Sequence, residues 1–442
     1  MKNTHFIFKM SIIMAGLVSS LTGCLTVQLP KIQIKPNAEP KNLEWKNIAT
    51  EALQNNPDLK VARFNINSSA RSRDIALGDY LPSVSGVLDR HLARTTTTLS
   101  KDSLGLDVLA TTSLFNGFQT TGNVLKTKKD LEAAKWAYLD SSATVRFRLR
   151  SAYIELLRLK KLLDVSRKIE TRRRRNAELI QLRYQAGKEH LGSSLRAQAI
   201  AGQAAFEVRQ ILRKIESVSL RLGREMGGEF ELPVQAAGDL DQMIPKLPDQ
   251  VPDYSSLAEH TPRVKKAVKT AESFKAAVVS AQGSVWPKVD GTADYGYLGG
   301  QASSLRDESS VGFKVSAPFF NGGKNIGAIR KAKADYEAAR ETARSTRDET
   351  LVQLSEAWTQ FADAVELVDV RMKFLEAARK RSEIVRAEYE TGLVNFQDFD
   401  IVEQDIADSE KNYVESLASV LVQQANWELV KGSTLEDTLR EG

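Results

Sequence analysis

Two short stretches of the sequence decide how the rest is interpreted: "LFNGFQTTGN" (residues 114–123) and "FFNGGKNIG" (residues 319–327). In both, Phe-Asn-Gly closes a run of alternating apolar residues, and a second glycine follows five residues later, before a long charged segment. Asparagine and glycine tolerate the backbone angles at which a chain changes direction. The pattern therefore predicts strand-to-helix hinges at Asn116 and Gly117 and again at Asn321 and Gly322.

The two hinges belong to an internal duplication. A shift of 205 residues superimposes them and, without a net gap, superimposes several prolines and glycines as well. The matched pairs include Pro57 and Pro262, Pro82 and Pro287, Gly86 and Gly291, and Gly187 and Gly392. Chance similarity between two helices rich in Ala and Glu would not keep these residues in one register. We therefore predict a first repeat over residues 24–232, a connector over 233–252 and a second repeat over 253–442.

Each repeat has the order helix, β-hairpin, long helix, helix. Prolines open the first helices, predicted over residues 57–80 and 262–285, because proline suits a first helical position. The long helices, predicted over 122–186 and 327–391, would each measure about 100 Å. The long helices are predicted to end at the glycines just beyond them. Final helices are predicted over 194–223 and 397–430.

The hairpins carry the sharpest physical signal. Strands are predicted at about residues 82–94, 103–115, 287–299 and 309–320, where apolar and polar residues alternate. This alternation is typical of a transmembrane β-strand, although a soluble hairpin with one buried face would show it too. The polar runs "RTTTTLSKDS" (94–103) and "GGQASSLRDES" (299–309) would then be external loops. Four strands are too few to close a barrel, so several chains would have to contribute.

The amino terminus has the pattern of a targeting segment. Lys2 and Lys9 precede an apolar stretch over residues 10–21, which ends in Leu-Thr-Gly-Cys at the only cysteine, Cys24. This resembles a bacterial lipobox, so residues 1–23 are predicted to be a lipoprotein signal peptide and Cys24 the lipidated residue. An ordinary signal peptide with a chance cysteine is the alternative.

Composition excludes other classes of protein. The net charge of +6 over 442 residues is too dispersed for a nucleic-acid binder, and the basic run "TRRRR" (171–175) would spread around a helix axis as a solvated segment. The four histidines are scattered, and no metal-ligand spacing or nucleophile motif is present. We expect no enzyme activity, no cofactor and no metal. Heptad stripes on the long helices leave open a lipid-anchored periplasmic coiled coil without a pore.

In order and taken together, these patterns resemble the TolC family of outer-membrane efflux and secretion ducts, in particular its lipoprotein members. The resemblance covers about residues 43–431. It rests on the duplicated order, on "NNPDLKVARFNINSSARSRDIALGDYLPSVS" (55–85), on the two hinges, and on the turns in "RYQAGKEHLGSSLRAQ" (183–198) and "EYETGLVNFQDFDIVEQ" (388–404). It implies a mainly α fold in which a homotrimer forms a twelve-stranded outer-membrane barrel, continued by a periplasmic α-helical barrel.

The resemblance also implies partners and sites. The partners would be outer-membrane lipid, a periplasmic membrane-fusion adaptor and an inner-membrane RND, ABC or MFS transporter, with no nucleic acid. Adaptors would dock on the two turns at the periplasmic tip. The residues of those turns are Gly187, Lys188, Glu189, His190, Leu191, Gly392, Leu393, Val394, Asn395 and Phe396.

A carboxylate ring is a further feature of this family, which often has an Asp-x-x-Asp pair that constricts the pore after the second turn. The first position corresponds to Asp398, whereas the second is Ile401, so Asp400 or Glu403 would have to compensate. Asp398 could equally be a helix N-terminal charge.

Overall fold

A computed structural model describes residues 41–95, 98–228, 234–248, 250–299 and 306–440. The predicted signal peptide and Cys24 lie outside these ranges. The helices of the first half are α1 (Trp45–Asn55), α2 (Pro57–Gly78), α3 (Gln119–Gln185) and α4 (Leu191–Met226). Those of the second half are α5 (Tyr254–His260), α6 (Pro262–Gln282), α7 (Lys324–Thr391), α8 (Phe396–Lys431) and α9 (Leu435–Arg440). The strands are β1 (Lys41–Leu43), β2 (Ser83–Thr95), β3 (Thr98–Phe115), β4 (Val234–Ala236), β5 (Lys288–Gly299) and β6 (Arg306–Ser316).

Both proline-led helices begin with the same capping arrangement. The Asn56 side chain accepts hydrogen bonds from the backbone N–H groups of Asp58 (2.9 Å) and Leu59 (3.2 Å) at the start of α2. At the start of α6, the Thr261 hydroxyl accepts from the N–H of Val264 at 3.4 Å. These caps satisfy donors that a helix start leaves unpaired, and the proline that follows has no N–H to satisfy.

The main sheet has the order β2-β3-β5-β6 and is antiparallel throughout. Its register aligns Val84, Ala110, Ala293 and Val311 in one row across all four strands. Successive residues of a strand point to opposite faces, so this register gives the sheet one apolar face and one more polar face. Among the described residues, β2 and β6 each have a strand on one side only.

The strand ends correct two predictions. The run at 94–103 is not a ten-residue loop, because pairing between β2 and β3 continues to Thr95 and Thr98. Threonine is β-branched and favours strands, which is why Thr95 and Thr98 remain in the sheet. In the second hairpin, β6 already begins at Arg306 and ends at Ser316, four residues before the predicted end at 320. Pro318, which lacks a backbone N–H, cannot continue the ladder.

The helices form a layer in which each long helix packs against shorter ones. α3 contacts α2 and α6, and it also contacts α4 and α8. The largest core cluster includes fully buried leucines from the predicted heptad stripes of both long helices, such as Leu149, Leu159 and Leu354. Among the described residues, no helix is both long and apolar enough to cross a membrane.

Candidate functional site: hinges and helical tip

The first hinge turns the end of β3 into the start of α3 by two left-handed residues. Gly117 has φ of 69° and Phe118 has φ of 67°, and α3 begins at the next residue. The Asn116 side chain then caps the helix, because its Nδ2 donates to the Thr120 hydroxyl (2.6 Å) and its Oδ1 accepts from the Thr120 N–H (3.3 Å). The asparagine therefore acts as a helix cap as well as a turn residue.

The second hinge repeats this geometry with glycine at both left-handed positions. Gly322 and Gly323 have φ of 68° and 78°, and the Asn321 side chain contacts Asn325 in the same way, at 2.6 Å and 3.4 Å. Phe118 occupies the position of Gly323 and was not among the predicted hinge residues. Left-handed angles are unfavourable for a residue with a side chain, and an edge-to-face contact with Phe115 at 5.5 Å holds the ring in place.

At the opposite end, both long helices end at a left-handed glycine. Gly187 has φ of 69°, and the N–H of Lys188 donates to the carbonyl of Arg183 at 2.8 Å. Gly392 has φ of 84°, and the N–H of Leu393 donates to the carbonyl of Glu388 at 2.9 Å. This is the Schellman arrangement, which satisfies the last helical carbonyls and reverses the chain. Each turn thus leads within a few residues into α4 or α8.

A cluster around Tyr389 joins the two turns. Tyr389 is 1% exposed, stacks on Phe399 with ring centroids 4.5 Å apart, and donates its hydroxyl to Glu189 of the other turn at 2.9 Å. The Arg183 guanidinium lies over the Tyr389 ring and donates to the Tyr389 carbonyl at 2.9 Å. The tip of the first repeat is therefore fixed to the tip of the second by one buried aromatic side chain.

The electrostatics of this cluster favour a neutral tyrosine and an ionised glutamate. Burial raises the pKa of Tyr389, and the neighbouring Glu189 carboxylate raises it further. Burial would raise the pKa of Glu189 too, but donation from the His190 backbone, the Tyr389 hydroxyl and Ser193 lowers it below its ordinary value. The Glu189 carboxylate therefore stays an acceptor at neutral pH.

The remaining residues nominated for docking lie at the surface of the tip. Leu393 is 80% exposed and Leu191 is 51% exposed. Lys188 and His190 are exposed as well, whereas Val394 and Phe396 are partly buried and Phe396 packs beside Tyr389. Exposed leucines beside backbone turns give the tip an apolar contact surface.

The three carboxylates predicted for the pore constriction have different environments. Asp398 is exposed in the first turn of α8, where its N–H donates to the Asn395 side chain at 2.9 Å. Asp400 is 9% exposed and accepts from Arg173 and Arg196. Its compensation for Ile401 in a pore constriction stays a prediction.

Glu403 is only 1% exposed. Its carboxylate accepts from Asn176 (2.9 Å), Ser382 (2.9 Å) and Arg386 (3.0 Å), and Arg172 lies 3.3 Å away. These partners come from α3 and α7, so the side chain connects three helices. Within the chain this carboxylate therefore has a structural role, and its part in a pore constriction stays a prediction.

The basic run at 171–175 is likewise not only a solvated segment. Arg173 is 5% exposed and donates to Asp400 (3.4 Å) and Gln404 (2.8 Å), while Arg172 pairs with Glu410 at 3.0 Å. The available signal was the heptad stripe, in which Ser166 and Arg173 take positions that are otherwise apolar. Both residues are buried, so the stripe continues through them, and Arg173 has polar partners on α8.

Comparison with known proteins identifies the family to which this architecture belongs. The sequence model of the outer membrane efflux protein family matches residues 48–227 and again residues 254–432. The outer membrane efflux protein BepC of Brucella suis biovar 1 (strain 1330) is 20% identical over 319 residues, which cover 71% of this chain and 69% of BepC.

Solved structures of outer-membrane channels have the same fold. The channel OprN aligns with a TM-score of 0.80 at 19% identity, over 91% of this chain and 94% of OprN. The open state of the Neisseria gonorrhoeae MtrE channel aligns with a TM-score of 0.79 at 15% identity, over 93% of this chain and 98% of MtrE. Nothing in these matches supports a coiled coil without a pore. The chain belongs to the outer membrane efflux protein family, a family of transport channels of the outer membrane.

Proposed function

We propose that three copies of this chain close into one export duct, which is anchored by lipid at Cys24. The duct receives substrate from an inner-membrane RND, ABC or MFS transporter through a periplasmic membrane-fusion adaptor. The single observation that carries this proposal concerns a seam, by which we mean the contact between a long helix and the proline-led helix of the other repeat. The chain itself fills this seam at α3 and leaves it open at α7.

The filled seam lies inside the chain. A Cβ atom at Gly117 would lie 2.5 Å from the carbonyl oxygen of Gly283, and one at Gly122 would lie 2.5 Å from the backbone nitrogen of Ser280. Such distances exclude any side chain larger than that of glycine without a shift of the backbone. The first hinge therefore packs directly against the end of α6.

The open seam is its counterpart 205 residues away. Around Gly322 and Gly327, a Cβ atom would meet nothing within 4 Å. Ile75, which corresponds to Ser280, is 74% exposed. A second copy whose α2 packs against α7, as α6 packs against α3 within one chain, would fill this space. Repetition of that contact closes a ring, and the sheet edges β2 and β6 would pair across the same seam.

The closed ring would satisfy the sheet edges, which lipid cannot do. An unpaired backbone N–H or C=O in a hydrocarbon environment costs several kcal/mol. Three chains of four strands give twelve strands, which lies within the range of outer-membrane barrels. The strongly exposed Phe319 (98%) and Phe320 (88%) beside the second hinge suit the membrane–water interface, where aromatic rings are enriched.

The tip supports adaptor docking. Its two turns expose Leu191 and Leu393, while the cluster around Tyr389 holds the backbone on which they sit. Asp398, exposed beside the second turn, is our candidate for the pore constriction, because three like charges in one ring would favour cations.

A substitution at Gly392 tests this function. Asparagine tolerates the left-handed conformation of this residue better than other side chains with a Cβ, so Gly392→Asn is the matched control for Gly392→Asp. We expect Gly392→Asp to abolish export in cells while the purified protein keeps its trimeric mass and its conductance in planar bilayers. Gly392→Asn should retain most of the export. A wild-type protein that is monomeric in mild detergent and gives no conductance would refute the duct, and normal export by Gly392→Asp would refute docking at the tip.

A further inference from the structure

One groove near the tip is lined mainly by cations. It has a volume of about 430 Å³ and lies between α3 and α7. The lining residues are Arg167, Lys168, Thr171, Arg172, Arg175, Asn176 and Arg386.

The cations of this groove fall into two classes. Arg172 and Arg386 form ion pairs with Glu403, at 3.3 Å and 3.0 Å. In contrast, the part of the chain that the structure describes places no carboxylate within ion-pair distance of Arg167, Lys168 or Arg175, and all three side chains are exposed. The groove therefore presents positive charge that the protein itself does not neutralise.

The spacing of these residues indicates the shape of the ligand. Residues 167, 171 and 175 recur at intervals of four, as do 168, 172 and 176, so they form two rows along one face of α3. The rows extend over about 13 Å. A single small anion needs donors that converge on one point, whereas charges in rows match carboxylates spaced along a second helix.

We infer that this groove binds an acidic α-helical segment of the periplasmic adaptor, with Glu or Asp side chains four residues apart. The inference rests on the proposed function, since it names a contact of the adaptor above the tip turns. The recognition is electrostatic, so it should weaken as the salt concentration rises.

The second repeat differs at the positions that line this groove. The counterparts of Arg167, Arg172 and Arg386 are the uncharged Met372, Ala377 and Gln181. Its cations at the positions of Lys168, Arg175 and Asn176 are Lys373, Lys380 and Arg381, and each of these pairs with a carboxylate. A trimer would therefore present three grooves with unpaired positive charge that alternate with three positions at which the cations are paired. Adaptor helices should bind in two alternating environments around the duct, and only one of these should depend on charge.

The test uses the purified full-length protein and a defined probe. The probe is a fluorescent, Ala-rich helical peptide with Glu at every fourth position, and a Gln version of the same peptide controls for helix shape. Charge reversal in the groove is made by Arg167→Glu with Arg175→Glu. The matched control is Lys160→Glu with Arg174→Glu, which changes the same charge at two exposed residues of α3 that do not line the groove.

We expect the Glu peptide to bind wild type and the control variant alike, at least about tenfold more tightly than it binds the groove variant. The Gln peptide should bind poorly to all three proteins, and inorganic phosphate should displace the Glu peptide no better than chloride of equal ionic strength. Equal binding to the groove and control variants would overturn the inference, as would specific displacement by phosphate, which would indicate a small-anion site. If the peptide fails to bind while Gly392→Asp still abolishes export, the inference about the groove is wrong and the proposed docking at the tip stands.

Discussion

At the scale of single residues, two asparagines stabilise the hinges between sheet and helix. Asn116 and Asn321 each accept the first free N–H of a helix of more than sixty residues and donate to the side chain four residues on. The sequence predicted a hinge from the tolerance of asparagine for unusual backbone angles. The structure assigns those angles to the residues that follow, and the asparagine acts through its side chain.

Removal of the second cap should therefore destabilise the protein. We expect Asn321→Ala to cost about 1 kcal/mol, the usual value for a lost helix cap, and to lower the apparent melting temperature followed by circular dichroism. Asn321→Asp keeps an acceptor oxygen and should recover most of the loss. An alanine variant that melts with wild type would show that the cap contributes nothing.

The Glu189 carboxylate makes the tip sensitive to acid. Its pKa lies below the ordinary value of 4.5, so its stabilising contribution is present above that pH and is lost as the pH falls through the folded-state pKa. We expect Glu189→Gln to melt below wild type at pH 7 and the two curves to converge in acid, below about pH 4.5. A difference in melting temperature that stays constant down to pH 3 would contradict this assignment.

At the scale of elements, the order and type of six helices (α2, α3, α4, α6, α7 and α8) and of the four strands of the main sheet could be predicted, because they follow from periodicity and from prolines and glycines. The short elements α1, α5, α9, β1 and β4 were not predicted. Helix α3 begins at Gln119, three residues before its predicted start, and β3 begins at Thr98 rather than 103. The earlier start of β3 has a local signal in the β-branched threonines of this run, whereas the earlier start of α3 has no strong one. The side-chain partners could not be predicted either, because Arg173 and Asp400 are 227 residues apart and meet only through tertiary packing.

The ionic contact between α3, α7 and α8 should be essential to the packing of these helices. Replacing Glu403 by Leu leaves Arg172 and Arg386 without this acceptor, and breaking a buried ion pair on one side costs about 3–5 kcal/mol. Asp405→Leu on the same helix is the control, because Asp405 is exposed and lies 3.7 Å from Arg381 at the surface. We expect a large fall in melting temperature for Glu403→Leu and little change for the control. Similar small effects in both variants would mean that the buried contact is dispensable.

At the scale of the whole molecule, the duplication gives two equivalent contacts between a long helix and a proline-led helix, one of which is formed within the chain. The contact between α3 and α6 lies within the chain, whereas in the duct that we propose its symmetry counterpart, between α7 and α2, is made with a neighbour. Family and fold identify an outer-membrane channel, and the proposed trimer would fill the space that is open around Gly322 and Gly327.

The most direct test of this account is a cysteine crosslink at the open seam. The Ser280 hydroxyl donates to the Asn123 side chain at 2.9 Å within the chain, so Asn123→Cys with Ser280→Cys should form an internal disulfide that leaves the mass of the band on a non-reducing gel unchanged. The counterpart, Ile75→Cys with Ala328→Cys, should instead give covalent dimers and trimers, because its two cysteines meet only across the seam between neighbours. A ladder that stops at the trimer is the predicted result, and a second variant that stays monomeric under oxidation would contradict the account.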